Sequence, residues 1–249
     1  MKPAPRVLAI AGSDSSGGAG IQADIKTITV LGGYAMTAIT AITAQNTLGV
    51  QAVEVLSPAL VVAQAKSCID DIGVDAVKIG MLGSPDVAHA VADLLEGVAC
   101  PVVFDPVMVA TNGSVLADEA TIAAFERLMR MAVLTTPNVP ELAALGGVDG
   151  LGGRGVAFLA KGGDAPGANV VDRLYRPGHA VVEWSAPRIE TRHTHGTGCT
   201  TASAIACGLG AGRDLVTAVE QARDFVRAAL VAAPGYGAGH GPLGHQAVR

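Results

Sequence analysis

The feature that most constrains this chain is an alternation of short apolar runs with segments that begin as helices begin. RVLAIAG (6–12), YAMTAITAITAQ (34–45), VQAVEVL (50–56), DAVKIGML (75–82), PVVFDPVM (101–108), AVLTTPN (132–138) and VAFLAKGG (156–163) read as strands, the fifth broken by Pro106. Between them lie helical spacings: IQADIKTITVLG (21–32), a helix opened by Ser57-Pro58, another by Ser84-Pro85, one capped by Asp118 and running to about Arg130, and the short PELAAL (140–145). Ser before Pro is strong helix-start chemistry, because the hydroxyl caps a free N–H and proline tolerates the first helical position. VVDRLY and AVVEWS look like a hairpin around Pro177-Gly178, and 197–210 and 214–233 read as two closing helices. Strands separated by helices imply an α/β fold, a mostly parallel sheet with helices on both faces. Thirty-two glycines suit many tight strand–helix turns.

In such sheets ligands sit beyond the carboxyl ends of the strands. The segments that follow those ends are therefore expected on one rim: Gly12–Gly20, Gln45-Asn46, Met81, Asp105–Gly113, Asn138–Glu141, Lys161–Gly163 and Gly196–Cys199. Neither a repeat nor a linker interrupts the pattern, so residues 1–249 are read as one domain. The formal charge of −5, with no Lys/Arg run, argues against nucleic acid as a partner. The longest apolar runs fall well short of the roughly 20 residues that span a bilayer. Four scattered cysteines with no CxxC pair and no secretory segment suggest free thiols in a reducing cytoplasm.

Four stretches carry chemistry. In GSDSSGGAGIQAD (12–24), small residues let backbone approach a ligand; neither a Walker loop nor GxGxxG is present. Asp24, one turn into the helix, and Gln45, past the next strand, could read a small polar heterocycle, although a flexible turn with a solvated Asp24 satisfies the same residues. In TPNVPE (136–141), Asn138 and Glu141 form a capping box, or stand near a hydrated Mg²⁺. In LAKGGD (159–164), Lys161 could reach a phosphate, or simply precede a turn. In HTHGTGCTT (193–201), Gly196 and Gly198 free backbone N–H groups at a helix start to bind an anion. Cys199 sits in that field, which is expected to lower its pKa and make it a proton acceptor; a small buried cysteine is the plainer alternative.

Together AGSDSSGGAGIQADIKT, VKIGMLGS, FDPVMVA, TPNVPE, KGG and THGTGCT, in this order, resemble the hydroxymethylpyrimidine/phosphomethylpyrimidine kinases of thiamine biosynthesis, within the ribokinase superfamily. The resemblance covers nearly the whole chain, including the tail GYGAGHGPLGH. It implies a three-layer α/β/α ribokinase-like fold. It also implies ATP- and Mg²⁺-dependent phosphorylation of 4-amino-5-hydroxymethyl-2-methylpyrimidine and then of its monophosphate. Carried over by motif, Gly12, Asp24, Gln45, Met81 and Val107 would line the pyrimidine pocket. Cys199 would be the base, with Gly196 and Gly198 in the anion hole. Asp105, Asn138 and Glu141 would organise Mg²⁺, Lys161 would contact ATP phosphate, and Thr194 would lie near the nucleotide. Superfamily members often pair as homodimers.

Sugar kinases of the superfamily place aspartate where Cys199 stands, so cysteine points to the pyrimidine branch or to the related pyridoxal kinases. A cysteine-nucleophile hydrolase, with His193 or His195 as partner, and a dead nucleotide-binding module are the readings from other classes. Three departures stand out. ELAALGGVDGLGGRGVAFLAKGG supplies only a short helix and a Gly-rich link, so a helix covering one sheet face is expected to be missing. Asp164 stands where the family usually has histidine. TNGSVL (111–116) replaces a segment expected to act as a lid.

Overall fold

The computed structural model describes residues 3–109 and 116–248. In chain order the elements are β1 (Arg6–Asp14), α1 (Gly20–Val30), β2 (Tyr34–Asn46), β3 (Gly49–Val55), α2 (Pro58–Asp71), β4 (Ala76–Ile79), α3 (Pro85–Leu95) and β5 (Val102–Phe104). They continue as α4 (Glu119–Met131), β6 (Leu134–Thr135), α5 (Val139–Ala144), α6 (Gly147–Gly153), β7 (Phe158–Ala160), β8 (Asn169–Tyr175), β9 (Val182–Pro187), α7 (Thr197–Gly210) and α8 (Leu215–Val231). A 3₁₀ turn, His245–Ala247, closes the described chain.

One nine-stranded sheet runs β3-β2-β1-β4-β5-β6-β7-β8-β9. From β2 through β7 every neighbour is parallel, while β3 and the β8–β9 hairpin are antiparallel additions at the two edges. This is the α/β architecture expected from the alternation. β5 stops at Phe104, before Pro106, because proline cannot donate to the ladder.

Side-chain alternation divides the core in two. Leu8, Ile10, Val77, Ile79, Phe104 and Phe158 pack under α2, α3, α4 and α6. Val7, Ala76, Val103 and Leu159 face α1, α7 and α8. On the second face α7 offers mostly alanine, with Ala202, Ala204 and Ala206 all buried, so the helix lies close to the sheet. The expected caps form: Ser57, Ser84 and Asp118 accept from the N–H groups of Leu60, Val87 and Thr121.

Segment 147–153 corrects the expectation of a Gly-rich link with no helix. GVDGLGG folds as α6, and its Leu151 is fully buried in the core beside Leu145 and Val156. Burial of one leucine and its neighbours outweighs the poor helix propensity of glycine. Residues 111–115 of the expected lid lie outside the described residues.

Candidate active site

The strand ends converge on a cavity of about 750 Å³. Its floor begins where β1 gives way to α1. Gly20 has a positive φ of 55°, and a Cβ there would lie 2.3 Å from the Gly12 carbonyl. Gly12 packs against Met81, whose sulfur would sit 3.1 Å from a Cβ at position 12. Gly12, Met81, Val107 and Gln45 all line the cavity. Gln45 is held in place by Thr43, whose hydroxyl lies 3.0 Å from Gln45 Oε1.

Asp24 does not belong to this wall. It is fully buried beneath it, on the sheet face covered by α1 and α7. Lys78 Nζ donates to both Asp24 oxygens at 2.9 Å, and Ser203 Oγ donates to Oδ1 at 2.7 Å. The heterocycle-reading role expected of Asp24 is corrected on physical grounds: its acceptor capacity is spent on a buried ammonium and a hydroxyl, away from the cavity. Burial pushes its pKa up, against the pull of Lys78 and Ser203.

The loop after β1 is built around a different carboxylate. Asp14 accepts from the N–H groups of Ser16, Gly18 and Ala19 and lies 2.8 Å from His195 Nε2. Burial opposes its charge, yet His195 and these donors hold its pKa below the usual carboxylate range. His195 and Asp14 both line the cavity and tie the β1–α1 loop to the turn before α7. Sequence reasoning weighed His195 only as a partner for Cys199. Its pairing with Asp14, 181 residues away, left no local signal.

That turn has the expected geometry. Gly196 is the N-cap of α7 with φ 91°, and a Cβ there would fall 1.9 Å from the Gly18 carbonyl. Only glycine permits this approach. Thr194, Gly196, Gly198 and Cys199 line the cavity, and a Cβ on Gly198 would come within 3.3 Å of both Asp105 Oδ2 and Lys161 Nζ. The first turn of α7, whose N–H groups lack helical acceptors, thus lies against the Asp105–Lys161 pair, and a lysine beside a helix N-terminus suits an anion.

Cys199 is half-buried. Burial pushes its thiol up to about 11, against the pull of Lys78 and of the Gly20 N–H. The expectation of a lowered pKa is thus corrected: a helix terminus contributes a partial charge, and desolvation of a thiolate outweighs it here.

Beside that turn Lys161 Nζ donates to Asp105 Oδ1 at 2.9 Å, and Thr136 donates to the same oxygen at 2.8 Å. Burial works against the Lys161 charge, but Asp105 and Glu141 raise its pKa. Asn138 and Glu141 form the capping box in full: the Asn138 side chain accepts from the Glu141 N–H, and the Glu141 carboxylate from the Asn138 N–H. Both line the cavity, and burial lifts the Glu141 carboxyl to about 7.

Among the described residues no three metal-ligating side chains gather. Mg²⁺ does not need three, because it keeps several waters and takes substrate phosphate oxygens with one or two carboxylates. Asp105 and Glu141, both oxygen donors on the cavity wall, fit that requirement.

Further out, Asp164 lines the cavity, as does Arg188, which donates to the carbonyls of Gly163, Ala165 and Gly167 and so shapes the loop after Lys161. Asp172 and Arg223 pair at 2.7 Å on the same wall.

Comparison with known proteins agrees with this geometry. Residues 14–244 match the family model described as phosphomethylpyrimidine kinase. A hydroxymethylpyrimidine/phosphomethylpyrimidine kinase of Streptomyces coelicolor is 46% identical over 97% of this chain and 94% of its own. That of Bacillus subtilis is 41% identical over 98% and 96%. Among solved structures, the ADP complex of Bacillus subtilis pyridoxal kinase superposes with a TM-score of 0.89 at 33% identity, covering 98% of both chains. Matched along nearly its whole length, the chain belongs to the phosphomethylpyrimidine kinase family.

Proposed function

We propose that this enzyme transfers phosphate from ATP to the hydroxymethyl group of 4-amino-5-hydroxymethyl-2-methylpyrimidine, and then to the resulting monophosphate, in the cytoplasm, as a single domain. One observation supports it most: Gln45, Cys199, the first turn of α7 and the Asp105–Lys161 pair share a single cavity. An amide can read an aminopyrimidine edge by donating and accepting at once. Gly12, Met81 and Val107 supply the close backbone and apolar contact around it.

Phosphoryl transfer is mostly positioning and charge compensation. The N–H groups of α7 and the Lys161 ammonium face the charge that develops on the transferred group. Bound Mg²⁺, held through Asp105 and Glu141, with Asn138 fixing the Glu141 carboxylate, would neutralise phosphate charge. Thr194 stands beside the turn at the nucleotide. Cys199, as thiolate, takes the proton from the hydroxymethyl oxygen. With the thiol up at about 11, the active fraction is small at neutral pH and grows as pH rises.

The test is ADP release, coupled to an optical readout, with the hydroxymethylpyrimidine, its monophosphate and pyridoxal in parallel. Cys199→Ala should lose at least about a hundredfold in kcat with an unchanged melting temperature. Near-normal turnover in that variant removes the base role. A second reading, pyridoxal phosphorylation, is favoured by the close superposition on pyridoxal kinase; faster turnover of pyridoxal than of the pyrimidine would select it.

A further inference from the structure

Asp14 and His195 are both buried at the edge of the cavity, 3% and 5% exposed. Asp14 ends β1 and gathers the loop that follows it: the Ser16, Gly18 and Ala19 N–H groups and the Ser16 hydroxyl all donate to its carboxylate. Although burial opposes its charge, His195 and these donors keep the carboxylate ionised. The proton in the 2.8 Å contact with His195 therefore sits on Nε2, which donates to Asp14 Oδ2.

The imidazole stands where two walls of the site meet. Its edge packs on Gly18, where a Cβ would fall 2.4 Å from His195 Cδ2. The next residue, Gly196, caps α7 and lies so close to the same loop that a Cβ there would meet the Gly18 carbonyl at 1.9 Å. On the other side the Gln45 amide nitrogen stands 3.4 Å from His195 Nε2. The Gln45 backbone is tied to that loop as well, since Ser15 Oγ donates to its carbonyl and accepts from its N–H, both at 2.8 Å. For stability alone, apolar residues of similar volume would serve as well as a buried ion pair, whose best-attested use is to fix register.

We propose that Asp14 and His195 are positioning residues: their hydrogen bond locks the β1–α1 loop onto the turn before α7, and so sets the distance between an alcohol held at the Gln45 wall and a phosphoryl group held at the α7 turn. This rests on the reading of those walls as pyrimidine and phosphate sites and deepens it. Transfer between two bound groups is sensitive to such placement, about 1 Å of displacement costing about a hundredfold in rate.

The test compares the wild type with three full-length variants, His195→Gln, His195→Leu and Asp14→Asn/His195→Leu. Glutamine keeps an N–H donor near the place of Nε2, leucine keeps volume without a donor, and the double variant leaves no stranded carboxylate. ADP release gives kcat for the hydroxymethylpyrimidine, and hydrogen exchange of peptides covering 12–20 and 194–199 is followed without ATP or substrate. His195→Leu and the double variant should lose about 10- to 100-fold in kcat and exchange faster in both segments, while α3 keeps its protection. His195→Gln should recover most of both, which a role in packing alone would not produce. Wild-type kcat or wild-type protection in His195→Leu overturns the assignment, and so does an equal loss in the glutamine and leucine variants. Failure of all three variants to fold overturns it too, since the pair would then serve the fold alone. A wild type that does not turn over the pyrimidine defeats the substrate reading, and exchange in the two segments still decides the role of the pair.

Discussion

Acid should loosen this protein at one identifiable point, His245. The C-terminal segment is pinned beside the site: the His240 N–H donates to Thr47 O, the His195 N–H to Gly241 O and the Gly244 N–H to Ala229 O. His245 then turns fully inward, with Nε2 2.8 Å from the hydroxyl of Thr200, the residue after Cys199. Burial pushes its pKa down to about 4, with Lys26 adding to the effect. Because the folded-state pKa lies below the unfolded value near 6.5, the unfolded chain takes up the proton first as pH falls. The neutral histidine therefore costs no stability at pH 8, and stability drains away between pH 6.5 and 4. The loss from this group amounts to about 2.5 kcal/mol at pH 4.5. Urea unfolding of the wild type and of His245→Gln at pH 8, 6 and 4.5 measures it, since glutamine does not titrate. The wild type should lose about 2.5 kcal/mol more than the variant between pH 8 and 4.5. Parallel pH dependences in the two proteins would refute the reasoning, whatever the absolute stability of the variant. Carboxylates with lowered pKa, such as Asp75 at about 2, shed their contribution at lower pH and cancel in the difference.

Further outcomes follow from single atoms. Gly196→Ala must displace the Gly18 carbonyl and strain a φ of 91°, so kcat should fall by about a hundredfold or more, as when an anion-hole donor is lost; ADP release measures it. Asp24→Ala leaves Lys78 buried and unpaired, and should cost about 3–5 kcal/mol in urea unfolding rather than act on substrate binding alone. Gly152→Ala meets no atom within 4 Å and lies inside α6, so it should raise stability by about 0.5–1 kcal/mol, read as a higher melting temperature.

Much of this was legible because strand ends and helix starts announce themselves locally. Gly12 and Gln45 near the ends of β1 and β2, and Met81, Asp105, Val107, Asn138, Glu141, Lys161 and the 194–199 turn beyond the ends of later strands, all line the cavity. What was illegible depends on partners distant in sequence. Asp24 looks like a rim residue until Lys78, 54 positions on, claims both its oxygens. Asp14 and His195 are separated by 181 residues. One signal for Lys78 was present, a lysine in the middle of a fully apolar strand, which is rarely exposed on both faces of a parallel sheet. The Gly-rich 147–153 segment misled for the opposite reason: its local propensity is poor, and the burial of Leu151 is a tertiary effect.

Several acids in and beneath the cavity wall already have a basic partner before any substrate arrives. Asp14 meets His195, Asp24 meets Lys78, Asp105 meets Lys161 and Asp172 meets Arg223, at 2.7–2.9 Å. Buried charges require such partners. The Asp105–Lys161 pair is the one that both incoming charges would divide, because a phosphate offers the lysine an anion and Mg²⁺ offers the aspartate a cation. Each side chain thus holds the place of a substrate charge and needs little reorganisation when the exchange occurs, which is the condition for electrostatic preorganisation. The two acids whose pKa burial raises, Glu141 to about 7 and Cys199 to about 11, are then the groups in this wall with protons free to move. On the proposed reading the first would stand at the metal side of the cavity and the second at the alcohol side, which would separate charge compensation from proton removal within a single chamber.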